Sequence, residues 1–303
     1  MNNIEEIFPK VSIVLPTYNR SYSILKSINS VLSQSYEDFE LIVVDDASVD
    51  DTEAVMSSIA DHRVKYIRHE YNKGGAIARN TGIAISRGEF IAFQDSDDEW
   101  LQDKLDTQMR EFEFDPNLTA VYTGYYLVKN QEAVYMPTEK LQSGSGKIFT
   151  KLLRDNCIST QTLVVKSGVL KSIGGFDEFL PRLQDWELVL RLSKVGEFKF
   201  IDQPFVNVNY TNDSITATSS KFFTAMEYII KKHSNAFDSY PNIKANHLYT
   251  LGVKYLESGL KKNAAKYLIK SFNCEKQPRC IIAIFSCLFG YKFYKYLRDK
   301  LKR

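Results

Sequence analysis

EFIAFQDSDDEW (89–100) joins an apolar run directly to an acidic cluster. EFIAF (89–93) reads as a buried strand, and Asp95, Asp97 and Asp98 follow it with only Ser96 interposed. An apolar strand does not hold that much negative charge within its body, so the carboxylates belong beyond its C-terminal end, in a crevice. Crowded carboxylates raise one another's pKa, and a cation relieves them. Hard oxygen ligands suit Mg²⁺ or Mn²⁺, and those ions in turn favour phosphate oxygens. The cluster points to a metal–diphosphate site. A second reading makes Asp97 or Asp98 the cap of a helix over WLQDKLDTQMREFE (100–113).

Working outward, the upstream chain alternates two patterns. VSIVLP (11–16), FELIVVDD (39–46) and VKYIRH (64–69) have strand length and apolar character. Between them, SILKSINSVLSQS (23–35) carries Ile24, Ile28, Val31 and Leu32 at helical spacing. Asp50, Asp51 and Thr52 offer caps for a helix through Ala60, and GGAIARNTGIAIS (74–86) predicts another helix. Near-continuous Val/Ile/Phe strands alternating with helices predict a largely parallel sheet covered on both faces. Ligands bind such sheets beyond the C-terminal strand ends. Asp45–Asp46 and Asp95–Asp97 both fall there, so one crevice is expected to hold both pairs.

Downstream, LTAVYTGYYLVK (118–129) and QTLVVKS (161–167) read as strands separated by a polar stretch from Gln142 to Lys147. GGFDE (174–178) reads as a turn, DWELVLRLSKVG (185–196) as a helix, and YTNDSITATSS (210–220) as a polar loop.

At 303 residues, 44% hydrophobic and 25% charged, the composition is that of an ordinary globular protein with a full core. MNNIEEIFPK (1–10) has no basic start followed by an apolar run, so no signal peptide is expected. Cys157, Cys274, Cys280 and Cys287 form no C-x-x-C pair and the four histidines are scattered, which argues against zinc. Reduced thiols in the cytoplasm are the default reading.

The net charge of +2 hides a division. Residues 221–303 hold 17 Lys+Arg against 5 Asp+Glu, whereas residues 1–220 hold 22 against 32. The expected domains are therefore 1–220 and a basic helical region, 221–303. Within the latter, Leu248, Leu251, Gly252, Tyr255, Gly259, Ala264 and Leu268 match one tetratricopeptide unit, but a plain helical hairpin around Ser258–Gly259 is favoured. CIIAIFSCLFGY (280–291) is uncharged and precedes KFYKYLRDKLKR (292–303). Twelve helical residues reach only about 18 Å, too short to cross a bilayer. Two readings stand: a helix lying on an anionic membrane surface, or a buried terminal helix with a solvated basic end.

The order of these motifs resembles family 2 of the glycosyltransferases, inverting enzymes of the GT-A fold that use nucleotide-sugar donors. VSIVLPTYNR (11–20), ELIVVDDASVDDT (40–52), ARNTGIAISRGEFIAFQDSDD (78–98), GGFDE (174–178) and QDWELVLRL (184–192) carry the likeness. The resemblance implies an α/β fold with a GT-A nucleotide-binding sheet flanked by helices, followed by the C-terminal helical region. It implies that Pro16, Thr17 and Tyr18 wall the nucleotide base, that Asp46 accepts its imide hydrogen and that Arg79 faces the nucleotide. An Arg79 salt-bridged to the acidic cluster is the competing reading. It further implies a D-x-D made of Asp95 and Asp97. Asp97 would ligate the metal directly, and Asp95 would reach the ribose, or the metal through water. Asp185 matches the general base, with Trp186 and Glu187 as acceptor-side neighbours; a helix-capping Asp185 would have a lowered pKa.

The chain departs from the family pattern at Ala47, Val49 and Asp51, where Gly, Thr and Gly are common, and at Gln184, where an acid often precedes the base. No Q-x-x-R-W string follows, which disfavours a processive synthase, and the loop after residue 210 lacks the histidine that often assists phosphate or metal binding. The implied activity is metal-dependent transfer of one sugar, from a UDP-linked donor to a hydroxyl acceptor. The implied setting is bacterial surface polysaccharide or glycolipid assembly at the inner face of the membrane. Expected partners are the nucleotide sugar, a glycan or lipid-linked glycan, and an anionic membrane surface; nucleic acid is not among them. A sugar nucleotidyltransferase competes, but LPTYNR lacks the glycines of its phosphate loop. A non-catalytic interaction protein competes too, against the presence of Asp46, Asp95, Asp97 and Asp185 together.

Overall fold

Strands whose residues are buried on both faces cannot stand at a surface, and VSIVLPT, FELIVVD and FIAF are buried almost throughout. They form the middle of one nine-stranded sheet. The computed structural model describes residues 8–130, 132–138, 144–209 and 219–301. The strands are β1 (Val11–Thr17), β2 (Phe39–Asp45), β3 (Val64–Arg68), β4 (Phe90–Phe93), β5 (Glu99–Trp100), β6 (Ala120–Lys129), β7 (Glu132–Met136), β8 (Leu163–Lys166) and β9 (Phe198–Asn209). Their order is β3-β2-β1-β4-β8-β6-β9-β5, with β7 on β6.

Chain contacts divide the protein into two units, Met1–Phe179 with Gln184–Asn212, and Leu180–Leu183 with Asp213–Arg303. In the first, the helices are α1 (Ile24–Leu32), α2 (Thr52–Ser57), α3 (Gly75–Ile85), α4 (Lys104–Phe114), α5 (Phe149–Arg154), α6 (Ser167–Ser172) and α7 (Gln184–Val195). Helix α1 buries Ile24, Ile28 and Val31 against the sheet, as its spacing predicts.

The sheet is mixed rather than largely parallel. Strands β1 to β4 run parallel, but β8 is antiparallel to both β4 and β6, and β5 is antiparallel to β9. Patterning also missed β9, because Pro204 interrupts it. A proline cannot donate to the ladder, and the β6–β9 register slips beside it, between Thr123 and Gly124. The helix expected from residue 100 starts only at Lys104, since Glu99 and Trp100 pair with Asn207 and Val206. The helix expected through Ala60 ends at Ser57.

The second unit is helical: α8 (Ser219–Lys232), α9 (Ser234–Ser239), α10 (Pro241–Glu257), α11 (Lys261–Cys274), α12 (Pro278–Phe289) and α13 (Tyr291–Leu301). Helices α10 and α11 form the hairpin expected around Ser258–Gly259, burying Leu248, Leu251, Tyr255, Ala264 and Leu268. Phe223 and Tyr267 stack on Tyr255. The loop expected over 210–220 lies in its first nine residues, 210–218, outside the described residues; Ser219 and Ser220 already belong to α8.

Candidate active site

The chain runs outward from β1 through β2 to β3, then returns to place β4 on the other side of β1. Order therefore reverses between β1 and β4, and in open α/β sheets the ligand crevice lies beyond the strand ends at such a switch point. Thr17 ends β1 and Gln94 directly follows β4, so PTYNR and QDSDD share that crevice. The loops after β1 and β2 are tied together. Asn19 N–H donates to Ser48 Oγ at 2.9 Å, Val49 N–H to Asn19 Oδ1 at 2.8 Å, and Asp46 N–H to Thr17 O at 2.8 Å. Ala47 holds φ +65°, a conformation usually given to glycine, which an L side chain adopts at about 1–2 kcal/mol. The common glycine is thus replaced without losing the turn.

The acidic turn is fastened from beneath. Ser23 and Ser27 hydroxyls donate to the carbonyls of Ser96 and Asp95 at 2.9 and 2.8 Å, and Gln94 Nε2 donates to Asp98 O at 2.7 Å. Asp95 and Asp97 remain partly open to solvent. Asp95 Oδ1 accepts from Arg79 Nη2 at 2.6 Å, and Asp97 Oδ2 lies 3.5 Å from Arg20 Nη2. Asp98 turns inward and is 3% exposed. Its carboxylate accepts from Gln161 Nε2 at 2.7 Å and from Asn209 N–H at 2.8 Å. It does not cap α4. Burial and the neighbouring Asp95 hold the Asp97 carboxyl above its ordinary value; burial, Asp95 and Asp97 raise Asp98 further.

Helix α3 links this turn to α7. Arg79 Nη1 donates to Gln184 Oε1 at 3.3 Å, and its guanidinium lies 5.5 Å from the Phe176 ring centre. The next residue, Asn80, clamps GGFDE: Oδ1 accepts from Phe176 N–H at 2.8 Å and Nδ2 donates to Phe176 O at 2.9 Å. Arg191, on α7, donates to the carbonyls of Ile173 and Gly175 at 2.7 and 2.6 Å and forms a 2.7 Å ion pair with Glu187. Two distant motifs are thereby locked in one frame. Asp185, in the first turn of α7, is held at Oδ1 by Trp186 N–H at 2.8 Å and at Oδ2 by Asn156 Nδ2 at 3.0 Å. Burial raises its pKa despite those donors and Arg79, so the lowered value expected of a capping carboxylate is not found.

Residues 12–167 match the family described as Glycosyl transferase family 2. The chain is also 31% identical over 259 residues to WfgD of Escherichia coli, a UDP-Glc:alpha-D-GlcNAc-diphosphoundecaprenol beta-1,3-glucosyltransferase, covering 85% of this chain and 96% of that protein. The chain belongs to glycosyltransferase family 2. Its fold is that of S. aureus TarS 1–349, solved with UDP-GlcNAc, at TM-score 0.69 and 18% identity over 97% of this chain and 91% of that one. The mannosyltransferase PcManGT of Pyrobaculum calidifontis, solved with GDP-Man and Mn²⁺, aligns at TM-score 0.61 and 18% identity, covering 96% and 84%. The protein is a glycosyltransferase of GT-A architecture.

In this family 2 domain the structure brings Pro16, Thr17, Tyr18, Arg79, Asp95 and Asp97 to the strand ends, and links Asp185 to them through Gln184 and Arg79. Arg79 adopts the expected alternative, pairing with the acidic cluster. Asp46 is 3% exposed, with Oδ1 accepting from Lys73 N–H and His69 Nδ1 at 2.8 Å each and Oδ2 from Gly74 N–H at 2.6 Å. It holds the loop leading into α3. Asp45 does not share the crevice, since it is fully buried against Tyr66 and Ser48. Trp186 and Glu187 correct the expectation of acceptor contacts. Trp186 Nε1 donates to Leu152 O at 2.6 Å inside the core, and the buried Glu187 is spent on Arg191.

Among the described residues, no group of three or more His, Cys, Asp and Glu is gathered as a metal cage. Mg²⁺-type sites do not need one, since one or two carboxylates plus substrate phosphates suffice. Asp95 and Asp97 fit that role: hard oxygens, partly open, in a turn where burial first and the neighbouring carboxylates second raise the pKa of Asp97 and Asp98. Thr17 Oγ1, Arg79 Nε and Gln94 Oε1 are buried without hydrogen-bond partners, and Thr17 and Gln94 flank the switch point. Residues that sequence reasoning missed are Arg20, Asn156, Gln161, Asn209 and Tyr125. Tyr125 is pushed up to about 12, first by burial and then by Asp185 and Asp98. No local pattern marks them; the long-range pairing of β6, β8 and β9 delivers three of them.

Proposed function

We propose that this glycosyltransferase moves one sugar from a UDP-linked donor to a hydroxyl of a lipid-diphosphate-linked glycan, with inversion at the anomeric carbon. The observation carrying this reading is Asp185: a carboxylate of raised pKa, held at each oxygen by a single donor and tied through Gln184 and Arg79 to the D-x-D. A base must keep a lone pair free for the incoming proton, and Asp185 does. Its carboxylate takes the acceptor hydroxyl proton as that oxygen bonds to C1, and the C1–O bond to the diphosphate breaks with its electron pair leaving on phosphate. Attack opposite the leaving group inverts C1.

Asp97, with Asp95, would hold Mn²⁺ or Mg²⁺, which as a Lewis acid would stabilise the departing diphosphate. Arg79 and Arg20 add fixed positive charge beside those carboxylates. Pro16, Thr17 and Tyr18 are assigned to the base wall, and Tyr18 is half exposed at the end of β1. UDP and the lipid-linked acceptor are taken from the likeness to the Escherichia coli glucosyltransferase. Bacterial surface glycan assembly at the inner membrane face is the setting they imply. No helix among the described residues is long and apolar enough to cross a membrane.

The test is UDP release from a panel of UDP-sugars, with and without a GlcNAc-diphospholipid, followed by NMR of the product. A β-linked product from an α-linked donor is expected. Retention of configuration would sink the mechanism, and pyrophosphate release from a nucleoside triphosphate would replace it with nucleotidyl transfer.

A further inference from the structure

Helix α12 is turned inside out. Its small residues, Cys280, Ala283, Ser286 and Cys287, are buried, while Ile281, Phe285, Leu288 and Phe289 are 56, 51, 70 and 59% exposed. Positions 281, 285 and 288 share one face at helical spacing, so the exposed side chains form a ridge rather than scattered points. The ridge continues past Gly290 onto α13, because Phe289 and Phe293 rings lie 4.7 Å apart and Phe285 and Phe293 rings 6.2 Å apart. Contiguous exposed apolar surface of this kind marks an interaction site.

The charges around it say which kind. Lys261 reaches the C-terminal end of the ridge, its Nζ donating to Leu288 O at 3.0 Å. Lys292 and Lys295 are exposed in the first turns of α13, and Lys300 lies further along. The single acid of α13, Asp299, is already paired with Arg298 at 2.9 Å. An apolar ridge bordered by cations matches a surface that offers hydrocarbon beneath a layer of anions. A second copy of the same face would instead bring like charges together.

We propose that the outer face of α12, continued onto α13, docks on an anionic lipid bilayer, with Phe285, Leu288 and Phe289 entering the acyl boundary and Lys292 and Lys295 meeting headgroup phosphates. The inference uses only residues of the helical unit and does not rest on the sugar-transfer reading.

The experiment is co-sedimentation of the full chain with vesicles of phosphatidylcholine alone or mixed with phosphatidylglycerol. Wild type is expected to bind the mixed vesicles only. Phe285→Ser/Leu288→Ser and Lys292→Glu/Lys295→Glu are each expected to weaken binding by about ten-fold or more. All four side chains are exposed, Phe285 by 51%, so circular dichroism should still report folded helices in both variants. Indifference of the wild type to phosphatidylglycerol overturns the proposal. So does Phe285→Ser/Leu288→Ser binding as wild type does, which would leave only electrostatic adsorption. Loss of a dimer in sedimentation velocity, with vesicle binding intact, would assign the ridge to self-association. Donor hydrolysis without vesicles reads the transferase separately: an inactive enzyme that binds vesicles counts against sugar transfer alone.

Discussion

At the residue scale, one carboxylate in a crowd is distinguished from the next by what it touches. Asp98 accepts from Gln161 and Asn209 and is closed off, whereas Asp97 keeps a partly open carboxylate opposite Arg20. Asp97→Ala is therefore expected to abolish Mn²⁺-dependent UDP binding, because a diphosphate without its cation faces Asp95 directly. Calorimetry with and without chelator reads this; equal affinities would remove the D-x-D assignment. Asp185→Asn keeps the shape and can still accept from Trp186 N–H, but its amide cannot take a proton. Transfer is expected to fall about 10²–10⁴-fold with UDP affinity retained. The base acts only when ionised, and burial sets its pKa above 3.8. Activity should thus persist above that raised pKa and disappear as pH falls through it, giving an acidic limb at higher pH than an ordinary Asp would. A pH–rate profile checks this, and the limb should vanish from the residual activity of Asp185→Asn.

At the element scale, the α3–turn–α7 frame carries the geometry of the site. Both glycines of the turn have positive φ, +83° at Gly174 and +64° at Gly175. A Cβ at Gly174 meets nothing within 4 Å, but one at Gly175 falls 2.5 Å from Asn80 Oδ1. Gly175→Ala must therefore break the Asn80 clamp as well as strain the backbone. It is expected to cost about 1–3 kcal/mol more than Gly174→Ala and to lower activity with it. Paired thermal melts and UDP-release assays decide; equal losses at the two positions would show that the clamp does not matter. The same scale explains the misplaced start of α4. Trp100 satisfies a helical pattern locally, but the pairing of Glu99 and Trp100 with β9 and the 3.2 Å bond from Trp100 Nε1 to Gln161 O hold it extended.

At the scale of the whole molecule, each unit has its own buried core: β1, β2 and β4 in one, the α10–α11 hairpin in the other. Both tryptophans, Trp100 and Trp186, lie in the sheet-containing unit, so indole fluorescence follows that unit alone while far-ultraviolet circular dichroism also follows the helices. In urea the two signals are expected to give separate transitions; coincident curves would show one cooperative body. The sequence by itself determined the alternation of strands and helices up to β4, the acids at the strand ends, the hairpin of the basic tail and the family. Those features are written in local periodicity and in short motifs read in order. Only the tertiary structure decided that the sheet is mixed, that Asp97 faces outward and Asp98 inward, and that Trp186 and Glu187 are core. It alone decided that Ile281, Phe285, Leu288 and Phe289 of α12 point to solvent. The reason is that burial and partnership are set by residues far away in sequence. Asp98 is fixed by groups 63 and 111 positions distant, and no pattern within its own segment encodes them.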